Sequence, residues 1–351
     1  MKYNGKYTVF DNSGINTYSV TSRKNKCKVE DFIDCDRLAA SDVISPSREA
    51  EEVGRAIAEA YNEGLPVIVL TGAHPIKNGL SPIYIDWMRR GVVSLIATNG
   101  AGTIHDFEFA AMGESSEDVR GVLALGEFGM AYETCAYINQ TLIEGNRRKL
   151  GYGESLGMLY CDQQFRKTVL DQVLSSIDPP AGEVLRPYDG FSHVDFSVVA
   201  NAYRENVPFT VHVGVGTDIT DQHANFNGEA KGGASGRDFL IFTEMITRLT
   251  RGGVILNVGS AVTGPEVLLK AVSMAANVGK APHGIVAADF DCRPFVFDDN
   301  ARDESQYYYY LRDQKSVATR IPKVFGGRGY YLEGDHSQTL SSVYQYFHKF
   351  L

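Results

Sequence analysis

Val67 to Phe109 reads VIVLTGAHPIKNGLSPIYIDWMRRGVVSLIATNGAGTIHDFEF. Two short apolar runs, Val67–Leu70 and Val92–Ala97, each end in a glycine-containing loop, TGAHPIKNG and TNGAG. Each loop gives way to a helical pattern. Strand, loop and helix repeated in this order is the sequence form of a parallel α/β sheet. Such sheets bind ligands at loops that follow the carboxyl ends of their strands. The segment holds His74, Lys77, Asn99, His105, Asp106 and Glu108, more potential chemistry than any other stretch.

The same rhythm continues outward. Upstream, Ser45-Pro46 is expected to open a helix, serine as N-cap and proline at the first helical position. Glu49, Glu51 and Glu52 then fall where the helix dipole favours anions. Residues 1–44 lack periodicity and read as an irregular arm, which leaves 45–351 as one domain. Downstream, helices are expected near 129–146 and 163–177, with a break at Asp178-Pro-Pro-Ala-Gly182. Phe209–Val213, Val254–Leu256 and Ile285–Ala288 read as further strands, and 238–250, 265–278 and 340–350 as helices. Between residues 213 and 237 the sequence predicts a long glycine-rich loop, the kind that is functional or mobile. One doubly wound, mostly parallel α/β domain with helical insertions accounts for this order.

Composition narrows the function. The 351 residues carry a net charge of −9, with 22% charged and 44% hydrophobic residues. No basic stripe is present, which argues against nucleic acid as partner. No apolar run reaches the ~18 residues needed to span a bilayer, and no apolar leader follows Met1. Cys27, Cys35, Cys135, Cys161 and Cys292 are dispersed without CxxC spacing. An odd, scattered set implies reduced thiols and a cytoplasmic location.

Several groups are candidates for chemistry. TNGAG (98–102) and NVGSAVTG (257–264) lie between strand and helix, where glycine lets a phosphate approach free N–H groups. Neither is a GxGxxG, and tight turns explain them equally well. His105 beside Asp106 fits a general base, or a helix cap. Asp218, Asp221 and His223, with His212 before them, fit a metal loop or a solvated cap. AADFD (287–291) and GDHS (334–337) are similar to pieces of the ureohydrolase manganese motifs, in reversed order. Tyr307–Tyr310 suggests packing or an oligomer contact.

Taken in order, TGAHPIKNGLS, ATNGAGTIHDFE, VGTDITDQ, DFLIFTEMITRL, LNVGSAVTGPEV and GYYLEGDH resemble the deoxyhypusine synthase family, and its bacterial deoxyhypusine-synthase-like branch more closely. The resemblance covers about residues 60–345. It implies a Rossmann-like fold, bound NAD, and a homotetramer with sites between subunits. It places NAD contacts at Thr98, Asn99, Gly100, Ala101, Gly102, Asp218, Asp221, Gly259 and Ser260. The chain departs from the synthases where they carry a polyamine-binding glutamate pair, here Ile104 and His105. Pro265-Glu266 replaces a histidine pair, and the SWGK block with the imine-forming lysine has no counterpart; Lys315 and Lys323 are nearby. The resemblance therefore implies the scaffold and cofactor, not a true deoxyhypusine synthase.

The resulting expectation is an NAD-binding enzyme that oxidises, or transfers a group of, a small polar and possibly amine substrate. His105 would be the base, with Asp106 and His336 as further catalytic groups. His74, Lys77, Glu266 and Asp335 would contact substrate. No metal is expected. A metal-dependent hydrolase, or a non-catalytic NAD-binding protein, are the alternatives.

Overall fold

The computed structural model describes residues 3–295 and 315–351. Tyr307–Tyr310 lies outside them.

Six strands form one parallel sheet: β1 Val67–Thr71, β2 Leu95–Asn99, β3 Phe209–His212, β4 Val254–Val258, β5 Val286–Asp291 and β6 Arg328–Glu333. Their order is β3-β2-β1-β4-β5-β6. From β1 the chain moves outward through β2 and β3, then returns to β4 on the other side of β1. The doubly wound sheet expected from sequence is thus present, with its switch point between β1 and β4. The order is that of a Rossmann-like sheet.

Side-chain alternation explains why the central strands are apolar on both faces through most of their length. Val67, Val69, Ile96, Val254 and Leu256 face one core, with Trp87, Tyr137 and Phe347. Ile68, Leu70, Leu95, Ala97 and Ile255 face a second, with Phe242, Ile246, Leu268 and Val272. A sheet covered on both faces makes its inner strands apolar through most of their length, with polar residues (Thr71, Thr98, Asn99, Asn257) only towards their carboxyl ends.

Besides the short helices Cys35–Ala40, which lies within the arm expected to be irregular, Val119–Val122 and Arg320–Val324, the α-helices of the described residues are, in chain order, α1 Arg48–Asn62, α2 Ala73–Lys77, α3 Ser81–Arg89, α4 Gly100–Met112, α5 Tyr132–Arg147, α6 Tyr152–Cys161, α7 Gln163–Ser176, α8 Val198–Arg204, α9 Gly228–Ile246, α10 Thr263–Asn277 and α11 His336–Phe350. Helix α1 differs from expectation. Its N-cap is Ser47, whose Oγ accepts from Ala50 N at 3.0 Å, not Ser45. Serine at either position gives the same local signal, and Pro46 stays outside the helix. The second apolar run turns into strand at Leu95, after Val92 and Val93 have packed against the core.

Another difference concerns the expected long loop. Helix α9 starts at Gly228, ten residues early, so GEAKGGASG is helical. Asn227 caps it, accepting from Ala230 N. Four glycines make that helix intrinsically weak; Lys231, Ala234 and Asp238 hold it by burial.

Candidate functional site

Helix α4 carries the chemistry. Asn99 ends β2 and caps α4, its Oδ1 accepting from Gly102 N at 3.0 Å. At the other end Gly113 takes the left-handed conformation, φ 74°, and reverses the chain. Glu114–Ser115 then runs back beside the helix, paired antiparallel with Cys27–Lys28 of the N-terminal segment. That pairing sets Ser115 opposite Cys27 and holds it against the helix face carrying His105 and Glu108. These two lie three residues apart, hence on one side of the helix.

A relay results. Ser115 Oγ donates to Glu108 Oε2 at 2.7 Å. With its proton so committed, Ser115 Oγ accepts from His105 Nδ1–H, also at 2.7 Å. Glu108 is further held by Thr134 Oγ1, which donates to Oε1 at 3.0 Å, and by Arg23, whose Nη2 lies 2.6 Å from Oε2. Burial depresses the His105 pKa to about 4 against the attraction of Glu108. The imidazole is therefore neutral at ordinary pH, with its Nε2 lone pair free to take a proton.

His105 faces a cavity of about 300 Å³ lined also by Arg23, Lys77, Ala101, Glu108, Glu117 and Asp218. That lies at the low end of the range for small-molecule sites. Lys77 ends α2, so it comes from the loop after β1; Ala101 comes from the loop after β2. Four expected residues, Lys77, Ala101, His105 and Asp218, thus line one cavity at the carboxyl ends of parallel strands.

Other expected residues fall elsewhere. Asp106 does not support His105. It points the opposite way, accepting from Ser197 Oγ and Val198 N at 2.6 Å each and so anchoring the start of α8. Full burial raises its pKa to about 7. Adjacent residues on a helix face apart, which is why the pair fails. Glu266 is exposed on α10 and paired with Lys270. Asp335 caps α11, accepting from Ser337 N at 2.7 Å. His336 donates from Nε2 to the Phe290 carbonyl at 3.3 Å, and its ring lies near Gly259. His74 is exposed, and burial, Lys77 and His336 lower its pKa. None of these lines the cavity.

The glycine loops have structural work of their own. Thr98 Oγ1 donates to the Thr71 carbonyl at 2.9 Å, tying β2 to β1. A Cβ on Gly72 would stand 2.2 Å from the Gly259 carbonyl oxygen, so the loops after β1 and β4 touch backbone to backbone. Ser260 Oγ accepts from Gly264 N at 2.9 Å. A Cβ on Gly100 would strike the Asp218 carboxylate, which lies against the start of α4.

Sequence reasoning missed the buried Lys231, and it noted Lys315 without the carboxylates that hold it. Lys231 Nζ donates to Asp218 Oδ2 at 2.7 Å and Asp221 Oδ1 at 2.6 Å, all three nearly excluded from solvent. Burial, opposed by Lys231, raises the Asp218 pKa. His223 is apart from them, against the Gly129 carbonyl. Lys315 similarly holds Asp289 and Asp291, at 3.3 and 2.5 Å. Each carboxylate pair is therefore bridged by one ammonium, and Arg293 adds a second cation to Asp291. Among the described residues no group of three or more His, Cys, Asp or Glu is arranged to hold a metal. Also among them, no helix is long and apolar enough to cross a membrane.

No protein-family model matches the chain, and no curated protein matches it. Solved structures show distant likeness. ArgZ, an arginine dihydrolase from the ornithine–ammonia cycle in Cyanobacteria, matches at 16% identity and TM-score 0.46, over 88% of this chain and 34% of its own. AgrE, solved as a ternary complex with ornithine and NAD+, matches at 14% and 0.46, over 87% and 34%. A putative LOR/SDH protein from Methanococcus maripaludis S2 matches at 13% and 0.44, over 92% and 73%. The chain spans about a third of the length of ArgZ and AgrE. Likenesses this distant decide neither family nor chemistry.

Proposed function

We propose that the chain is an enzyme that takes a proton from a small polar substrate during NAD-dependent oxidation, with His105 as the base. The observation that carries this reading is the Glu108–Ser115–His105 relay at the wall of a cavity built on parallel-strand ends. Carboxylate, hydroxyl and imidazole in series fix the tautomer, so that Nε2 is the basic atom. A base contributes most when the atom it relieves of a proton lies within hydrogen-bond reach. The cavity's small size sets that reach.

NAD enters this reading through the resemblance. The residues at the cavity rim fit its nicotinamide-ribose end. Gly100, by lacking a Cβ, lets the Asp218 carboxylate lie at the start of α4. A carboxylate beside such a turn accepts ribose hydroxyls. Asp218, Thr217 and the Gly100–Gly102 turn would hold that end. A cavity of about 300 Å³ takes no whole dinucleotide beside a substrate, so the adenosine half belongs outside it. When bound, NAD supplies a hydride acceptor. The chain's own part is to hold the substrate and receive the proton at His105 Nε2. Lys315, shut in by Asp289 and Asp291 with its side chain 2% exposed, has no part in this step.

Native mass spectrometry of the purified full chain tests the cofactor. The expected result is retained NAD, or NAD taken up on addition. Neither retention nor a shift in melting temperature with added NAD would remove NAD from the reading. A His105→Gln protein that turns over normally would remove the base.

A further inference from the structure

The relay has a direction, and its far end decides it. Resting on the reading of His105 as the base, we infer that Arg23, carried in by the N-terminal segment, is a positioning residue that sets this direction and so makes Nε2 the basic nitrogen.

An ionised carboxylate only accepts hydrogen bonds, a neutral carboxyl group also donates one, and a hydroxyl does both. Facing a carboxylate at Glu108, Ser115 must spend its proton on Oε2, and His105 must spend its N–H on Ser115. Nε2 is then bare. Facing a neutral carboxyl group, the series reverses. Glu108 donates to Ser115, Ser115 donates to His105 Nδ1, and the one ring proton sits on Nε2. The two states differ by a single proton. It arrives at Nε2 from water, the Nδ1 proton passes to Ser115 Oγ, and the Ser115 proton passes to Glu108 Oε2. The negative charge of Glu108 is lost, and serine and imidazole end as neutral as they began. In that state His105 has no lone pair left to take a proton from substrate.

The cost of a buried charge separates the two states. The Glu108 side chain is 2% exposed, and a carboxylate buried without a cation takes up a proton instead. Among the described residues the ion-pair partner of Glu108 is Arg23, with Nη2 at 2.6 Å from Oε2 and its own side chain 6% exposed. Thr134 Oγ1 adds one neutral hydrogen bond to Oε1, which does not replace a charge. The other charges on the cavity wall are placed differently. Asp218 is held by Lys231, and Glu117 receives Tyr18 OH and Gly129 N, both at 3.0 Å. Lys77 acts on His105 through space.

The segment that brings Arg23 is fastened at several points. Tyr18 N donates to the Met130 carbonyl at 3.1 Å, and Tyr132 N donates to the Tyr18 carbonyl at 2.9 Å. Ser19 Oγ and Val20 N donate to the buried Glu133, at 2.7 and 2.8 Å. Arg23 Nε donates to Asn25 Oδ1 at 2.9 Å, which leaves Nη2 for Glu108.

Nitrogen NMR of the full chain, with isotope-labelled histidine, reads the tautomer directly and needs neither substrate nor NAD. The His105 signals are those lost in His105→Gln. Near neutral pH the wild-type ring should carry its proton on Nδ1, and Arg23→Gln should carry it on Nε2. Arg23→Lys, which keeps the charge, should return it to Nδ1. An unchanged circular dichroism spectrum in Arg23→Gln excludes misfolding as the cause. Turnover should follow the tautomer, with kcat/KM lower by roughly a hundredfold or more in Arg23→Gln and mostly restored in Arg23→Lys. A wild-type ring protonated on Nε2 would overturn the inference whether or not any variant folds. So would an Nδ1 proton kept in Arg23→Gln, or an Nε2 proton in Arg23→Lys. Normal turnover by His105→Gln would instead defeat the base alone and leave these tautomers as they are.

Discussion

Breaking the relay at its middle tests the base most directly. Burial holds His105 at about 4, against 6.5 for an ordinary histidine. At roughly 1.4 kcal/mol per pKa unit, keeping this imidazole neutral costs about 3 kcal/mol of stability at low pH. The sign follows from proton uptake. The unfolded chain takes the proton first as pH falls below 6.5, so the cost appears between 6.5 and 4 and is absent above 6.5. For catalysis, the base stays ready down to about pH 4. Wild-type kcat/KM should therefore show its acid limb near that value. Ser115→Ala removes the acceptor of Nδ1–H. The tautomer is then no longer held, and losing one hydrogen bond of about 1 kcal/mol predicts a drop in kcat/KM of roughly fivefold. His105→Gln removes the base itself, and a loss of roughly a hundredfold to ten-thousandfold follows. The assay is NADH formation against pH with a small polar substrate that the protein turns over, alongside an NMR titration of His105. An acid limb near 6.5, or a Ser115→Ala enzyme equal to wild type, would refute the reasoning.

Other outcomes follow from single contacts. Asp106→Ala should lower stability by about 1–3 kcal/mol through the lost anchor of α8, read by urea unfolding, while kcat/KM per folded molecule stays unchanged. Lys231→Met leaves Asp218 and Asp221 buried without their cation; a loss of about 3–5 kcal/mol is expected in the same measurement. Gly72→Ala sets a Cβ against the Gly259 carbonyl and should lower the melting temperature sharply, whereas Gly64→Ala, with open space around it, should show only backbone strain at φ 65°. Glu266→Gln, on an exposed surface, should leave turnover and stability as they are.

What the sequence disclosed follows from the range of each interaction. The inner strands were legible because both faces are buried, so apolar character runs continuously through Val67–Leu70 and Val254–Leu256. The first ten residues of α9 were not legible, since Gly228, Gly232, Gly233 and Gly236 look like loop. Its stability comes from Lys231 and Asp238, whose partners lie 10 to 86 residues away in sequence, reckoned to Asp221 and Val211 or Tyr152. Asp106 was misplaced for a simpler reason. Neighbours in sequence suggest neighbours in space, yet on a helix they diverge by about 100°.

The true partner of His105 was within reach of the same rule. Glu108 stands one helical turn along, in the stretch first singled out, and spacing of three places the two on one face. What spacing could not supply was Ser115. The gap between imidazole and carboxylate is bridged only because Gly113 turns the chain back and Cys27–Lys28 pins the returning strand. The N-terminal segment thus acts on the site twice, once through that ribbon and once through the Arg23 charge on Glu108. An irregular arm in sequence becomes, in space, the wall that orients the base. It follows that deleting residues up to 28 should cost more activity than stability of the sheet, because none of the six strands draws a hydrogen bond from that segment. Circular dichroism set against kcat/KM would separate the two, and equal losses in both would show the segment to be part of the folding core.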